Sequence, residues 1–175
     1  MALLAWLLLA GCRPLPALTV KIGTLVPEGS PWVEALRRVA ADWDRLAQGK
    51  IILKIYPGGI AGEEADMVRK MRIGQLQGAA LTQLGMALLD PAILAVSVPF
   101  LIRDEQELDY VLAGSRSYYA ELFESKGYRL LVLAKAGWVH FFARRQLSTP
   151  AELQRLKLAV PEGDAQFVDT WRRMG

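Results

Sequence analysis

With 175 residues, the chain is long enough for one domain with a proper core or for two small lobes, and short for a typical large enzyme. Its net charge of +3, from 21 basic and 18 acidic residues, is a small surplus with no Lys/Arg block and no basic-aromatic alternation, which argues against nucleic acid as a partner. A single cysteine excludes an intrachain disulfide, and with a single histidine beside it no transition-metal site or other cofactor is expected.

The hydrophobic content of 53% is concentrated in part at the start, in MALLAWLLLAGC. The apolar run from Ala2 to Gly11 is too short to span a bilayer as a helix and reads as the hydrophobic region of a secretory signal. Leu9 to Cys12, LAGC, resembles the lipobox of bacterial lipoproteins, which makes Cys12 the expected lipidation site, although no Lys or Arg precedes the apolar run. Residues 1–12 are thus expected to be signal and lipobox, and 13–17 a proline-flanked linker.

LTVKIGTL, from Leu18, has the β-branched content of a strand. Ser30 is an expected N-cap with Pro31 at the first helical position. Trp32, Leu36, Val39, Trp43 and Leu46 then recur at helical spacing as an expected core stripe, which Gly49 ends. IILKIYP is a second strand, stopped by Pro57, Gly58 and Gly59, and residues 61–73 carry Ala65, Val68, Met71 and Arg72 in a helical pattern ending at Gly74. GAALT supplies a third strand. The order β-α-β-α-β, with connections too long for hairpins, predicts a parallel sheet covered by helices.

PAILAVSVPFLI reads as extended, punctuated by Pro91 and Pro99. Asp104 and Glu107 predict a capped helix through Ala113, and Ser115 to Lys126 a second helix ended by Gly127. YRLLVLAK and GWVHFFAR read as consecutive strands. Thr149, Pro150 and Glu152 cap a helical turn, followed by a strand in LKLAV and a final helix running to Gly175.

Nucleophilic catalysis needs a nucleophile, a base and an orienting group, and His140 stands alone inside a strand-like aromatic stretch with no Gly-x-Ser-x-Gly turn elsewhere. No catalytic residues are assigned and no enzyme is expected. The acid pair Glu63-Glu64 is explained by the favourable potential at a helix start. Gly58, Gly59 and Gly62 match neither the P-loop nor the dinucleotide spacing.

VKIGTLVPEGSPW, GKIILKIYPGGIAGEEADMVRKMRIGQL, VPFL, GYRLLVLAKAGWVHFF and STPAELQRLKLAVPEG, in that order from about Leu18 to Gly175, resemble the DctP family, the extracytoplasmic solute-binding proteins of TRAP (tripartite ATP-independent periplasmic) transporters. The resemblance implies an α/β clamshell of the type II periplasmic-binding-protein kind, two lobes each with a central β-sheet flanked by helices. Residues 18–127 would form lobe 1 in part and 128–175 the beginning of lobe 2, in a family whose members are about twice this length. It implies capture of a small organic ligand, delivery to TRAP membrane subunits, and a periplasmic or cell-surface location with attachment to a membrane through the lipid anchor. A non-transport ligand sensor or lipid-binding module of the envelope is the alternative on the same fold.

The resemblance also implies ligand contacts at Leu25, Pro27, Trp32, Thr82, Gln83, Trp138, Val139, Phe141 and Ala159. In the family, an arginine in the strand ending Val-Pro grips the ligand carboxylate through two parallel hydrogen bonds. Here that position is Ala159, a second arginine position is Val139, and Leu25 replaces a residue polar in some members. A carboxylate buried without a cation is costly, so the expected ligand is neutral or predominantly apolar, with Lys157 or Arg144 as the alternative source of a displaced charge.

Overall fold

A computed structural model describes residues 16–98, 101–138, 140, 142–149, 151–152, 155–157 and 159. Cys12, Val139, Phe141, Leu158, Val160 and the final helix lie outside them, and the described residues of LKLAV, Leu156, Lys157 and Ala159, do not form the expected strand. The described residues divide into two compact units, one ending at Leu108 and the other beginning at Asp109.

In the first unit, strands β1 (Leu18–Thr24), β2 (Ile51–Tyr56) and β3 (Gly78–Ala80) form a parallel sheet in the order β2-β1-β3. Register pairs Leu18 with Ile51 and Gly23 with both Tyr56 and Ala79. Helices α1 (Pro31–Leu46) and α2 (Glu64–Arg72) make the two crossovers. The chain steps from β1 to β2 in one direction and from β2 past β1 to β3 in the other. Right-handed crossovers in opposite directions put the two helices on opposite faces of the sheet.

The α2 face carries the core of this unit. Met67, Ala61 and Leu76 are buried together, with Leu25, Tyr56, Met71, Ala79 and Leu81 packed around them. Gly23 makes this packing possible: a Cβ there would stand 3.0 Å from Ala61 Cβ, 3.1 Å from Met67 Sδ and 3.2 Å from Leu76 Cδ1. On the other face α1 packs on β2, and Val33 and Leu53 are buried.

Ser30 caps α1 as expected, its hydroxyl accepting from Val33 N at 3.3 Å, with Pro31 in the first turn. The core stripe of α1 is a correction. The inward line runs through buried Val33 and half-buried Leu36, Ala40, Trp43 and Ala47, whereas Trp32 is 46% exposed and Leu46 71% exposed. The large side chains at seven-residue spacing masked an adjacent line built partly of alanine. On α2 the buried residues are Met67 and Val68, while Ala65 and Arg72 are exposed.

After α3 (Gln83–Ala87), Pro91–Ser97 forms a 3-10 helix where an extended segment was expected. Asp90 and Pro91 act as a start signal: Asp90 Oδ1 accepts from Ala92 N at 2.9 Å, and proline is pre-set for a first helical position. The two helices expected around Gly114 are one continuous helix, α4 (Glu105–Ser125). An interior glycine costs about 1 kcal/mol, less than the loss of a turn of helix. Ser115 does not cap; its hydroxyl donates to Val111 O at 2.6 Å. At the start of α4, Asp104 Oδ1 accepts from Glu107 N at 2.8 Å, and Glu107 accepts from Arg103 N at 2.8 Å. The Arg103 guanidinium, hydrogen-bonded to it, holds the Glu107 carboxyl below the usual carboxylate range.

In the second unit Tyr119 and Phe123 are buried with their rings stacked, and Lys135 pairs with Asp109 at 2.9 Å. The strands expected in YRLLVLAK and GWVHFFAR are not formed by the described residues of those stretches. Strand propensity reports fit to a pleated surface, and no neighbouring strand stands beside them among the described residues to supply a ladder. Glu152 accepts from Ser148 N at 2.7 Å and Thr149 N at 3.1 Å, closing the expected turn.

Candidate functional site

In a parallel sheet every strand ends on the same edge, and the loops leaving that edge converge. The strand order β2-β1-β3 reverses between β1 and β3, the position outside whose strand ends open α/β sheets commonly hold ligands. Five of the expected contacts lie on this edge: Leu25 and Pro27 in the loop after β1, Trp32 in the first turn of α1, and Thr82 and Gln83 where β3 turns into α3. Pro27 and Thr82 are exposed, Trp32 is partly so, and Leu25 is drawn half-buried into the core cluster. In the second unit Trp138 and Ala159 are exposed, and His140 is exposed with its ring 6.5 Å from that of Phe142.

The rim is internally tied. Gly58 N donates to Val26 O at 2.9 Å and Gly59 N to Thr24 O at 3.1 Å, so the loop after β2 is fastened to the loop after β1. Both glycines have positive φ, 60° and 77°, the backbone region that turns their amides inward. Ile60 N and Gly62 N are taken by Pro57 O and Gly59 O. With these donors committed, residues 58–62 are not a phosphate cradle. Thr24 is fully buried at the end of β1, and its hydroxyl accepts from Val26 N at 3.2 Å.

The Glu63-Glu64 pair does more than favour a helix start. Glu64 Oε1 accepts from Thr82 N at 2.5 Å and Oε2 from Thr82 Oγ1 at 2.7 Å, joining α2 to the turn after β3. This contact spans 18 residues of sequence and leaves no local signature.

The rim loops 25–30, 57–63 and 81–82, with Glu64 next to them, hold Glu28, Glu63 and Glu64 and no Lys or Arg. Glu28 is paired with Arg37 from α1. Farther along α2, Arg69, hydrogen-bonded to Asp66, holds that carboxyl below its usual range. The edge therefore offers hydroxyl, amide and apolar groups beside these acids, and Lys70 Nζ reaches the loop after β2 by donating to Ala61 O at 2.7 Å. Among the described residues no group of three or more His, Cys, Asp and Glu is placed to hold a metal, and no helix is long and apolar enough to cross a membrane.

Known proteins resemble this chain in sequence and in fold. A solute-binding protein of Roseobacter denitrificans is 27% identical over 168 residues, covering 90% of this chain and 49% of its own. The sialic acid-binding periplasmic protein SiaP of Vibrio cholerae is 24% identical, over 83% of this chain and 46% of its own. The chain thus spans about half the length of these relatives. Among solved structures, the sugar acid binding protein DctPAm of Advenella mimigardefordensis, in complex with galactonate, superposes with a TM-score of 0.59 at 22% identity, covering 65% of this chain and 37% of that one. A TRAP periplasmic solute binding protein of Roseobacter denitrificans with bound β-D-glucuronate gives 0.57 at 24% identity, over 62% and 36%. These likenesses give the fold: an α/β architecture of the TRAP periplasmic binding proteins, with a parallel sheet and flanking helices, of which this chain covers part. The model of the bacterial extracellular solute-binding proteins, family 7, matches residues 22–174, and the chain belongs to that family, DctP.

Proposed function

We propose that this chain carries the ligand-capturing part of an extracytoplasmic receptor for a TRAP-type transporter, and that its ligand is a small neutral or predominantly apolar organic molecule handed on to the membrane subunits. Lobe 1 corresponds to residues 18–127 and the start of lobe 2 to 128–175, with Leu25, Pro27, Trp32, Thr82, Gln83, Trp138, Val139, Phe141 and Ala159 as ligand contacts. The observation that carries the ligand class is the absence of basic residues from the rim loops, where the only ionisable side chains are acids, together with Ala159 at the position matching the carboxylate-gripping arginine. Comparable proteins hold galactonate and glucuronate. A carboxylate brought to this rim would meet Glu63 and Glu64, and the cations that reach the rim are engaged, Arg37 by Glu28 and Lys70 by Ala61 O at 2.7 Å.

Calorimetric titration with matched pairs tests this: 1-hexanol against hexanoate, benzamide against benzoate, and D-glucuronate alone. The neutral member of a pair is expected to bind at least about tenfold more tightly, since an unpaired buried carboxylate costs more than the ~1.4 kcal/mol that tenfold represents. Tighter binding of the carboxylates would sink the ligand class.

The receptor is held at a membrane surface through a lipid on Cys12. One acyl chain alone anchors only marginally, so a multiply acylated N-terminal cysteine is expected. The mass of the N-terminal peptide recovered from the envelope fraction decides this, and an unmodified Cys12 in an uncleaved N-terminus would refute it.

A further inference from the structure

Thr82 is held by a network whose polarity admits one arrangement. Its hydroxyl oxygen accepts from Leu84 N at 3.2 Å and from Gly85 N at 3.4 Å, capping α3. A hydroxyl has two acceptor positions and one proton. With both acceptor positions used, the proton must go to an acceptor, and Glu64 Oε2 receives it at 2.7 Å. The other carboxylate oxygen receives Thr82 N at 2.5 Å. Both contacts demand an acceptor at residue 64, which a carboxylate supplies twice and a carboxamide once.

The packing is as specific as the polarity. Gly85 is buried, and a Cβ built on it would lie 2.6 Å from Glu64 Cδ and 2.8 Å from each carboxylate oxygen. The carboxylate thus occupies the space that any side chain at 85 would need. Glu64 stands in the first turn of α2, while Thr82 and Gln83 form the opposite side of the rim, after β3.

We propose that Glu64 is the positioning residue of the rim, fixing the turn at Thr82 and Gln83 in the orientation from which these residues meet the ligand. This rests on the reading of Thr82 and Gln83 as ligand contacts. It assigns Glu64 a role through Thr82 and makes Gly85 the residue that leaves room for it. The clasp also spends both oxygens of a rim carboxylate on the protein itself, so the ligand is met by the threonine and glutamine it orients.

Two variants separate polarity from space. Glu64→Gln keeps the shape and removes one acceptor; Gly85→Ala keeps the carboxylate and pushes it aside. Amide hydrogen exchange of the full chain is expected to quicken at least about tenfold at Thr82, Leu84 and Gly85 in both variants, the scale of a lost charge-assisted hydrogen bond, with protection in β1 and β2 unchanged. Affinity for whichever of 1-hexanol and benzamide the parent protein binds more tightly is expected to fall by about the same factor. Unchanged exchange at those three amides would overturn the clasp. Faster exchange with unchanged affinity would show a brace that positions nothing for the ligand and would overturn the proposal while leaving the ligand class standing. A parent protein that prefers hexanoate and benzoate contradicts the ligand class alone, and the variants are then read with the preferred carboxylate. A parent that binds none of the four removes the receptor reading and this inference with it.

Discussion

Met67→Ala is expected to destabilise the first unit by about 3 kcal/mol, within the usual range for emptying a buried methionine site. Met67 is fully buried at the centre of the α2 face, against Ala61 and Leu76 and over Gly23. Its neighbours cannot easily collapse inward. Gly23 and Ala61 are small, and Leu76 comes from the segment that leads into β3. With total stabilities of about 5–15 kcal/mol, such a loss takes up much of what a small domain has. Val39→Ala, on the exposed side of α1, serves as the control and is expected to change stability by less than about 0.5 kcal/mol. Urea denaturation followed by far-UV circular dichroism measures both. Equal effects of the two substitutions would mean that the core does not lie on the α2 face.

Ala159→Arg is expected to raise affinity for D-glucuronate by about 10- to 100-fold. A charge-assisted, two-point hydrogen bond to a carboxylate contributes about 1.5–3 kcal/mol when it is formed in a shielded site. Ala159→Lys is expected to give a smaller gain, since an ammonium is a point charge without the planar fork that matches two carboxylate oxygens. Titration of both variants with D-glucuronate and with D-glucose separates charge recognition from general sugar binding. A gain for glucose as large as that for glucuronate would show that position 159 does not read the carboxylate.

The sheet of the first unit was legible because its signals are local. Ser30 and Pro31 open α1, Gly58 and Gly59 turn the chain out of β2, and Gly74 closes α2, so each boundary was written within a few residues. The burial of α1 was not legible, because Trp32 and Leu46 draw the eye to one side while the sheet meets a line containing Ala40 and Ala47. The Asp90-Pro91 start was visible too, but the β-branched residues behind it suggested extension, and a short 3-10 helix needs little more than its cap. At Gly114 the continuity of hydrogen bonds along α4 outweighed the local preference of glycine and serine for a break.

The candidate site divides in the same way. That Leu25, Pro27, Thr82 and Gln83 share an edge follows from parallel strand order, which alternation and connection length already implied. The partnership of Glu64 with Thr82, and the empty space at Gly85 that permits it, joins positions 18 and 21 residues apart across a crossover, so only the folded backbone brings them together. The strands expected from Tyr128 onward show the converse case. A pattern of apolar and aromatic residues specifies a surface suited to a sheet, and the sheet itself exists only where a second strand pairs with it.

Native mass spectrometry of the protein recovered from its own envelope fraction tests the proposed ligand class most directly, because a captured ligand travels with its receptor and is identified by its mass after release. A retained molecule lacking a carboxylate is the expected result. Recovery of a sugar acid or dicarboxylate as the retained ligand would contradict it, and would mean that a cation from elsewhere in the receptor replaces the arginine that Ala159 lacks.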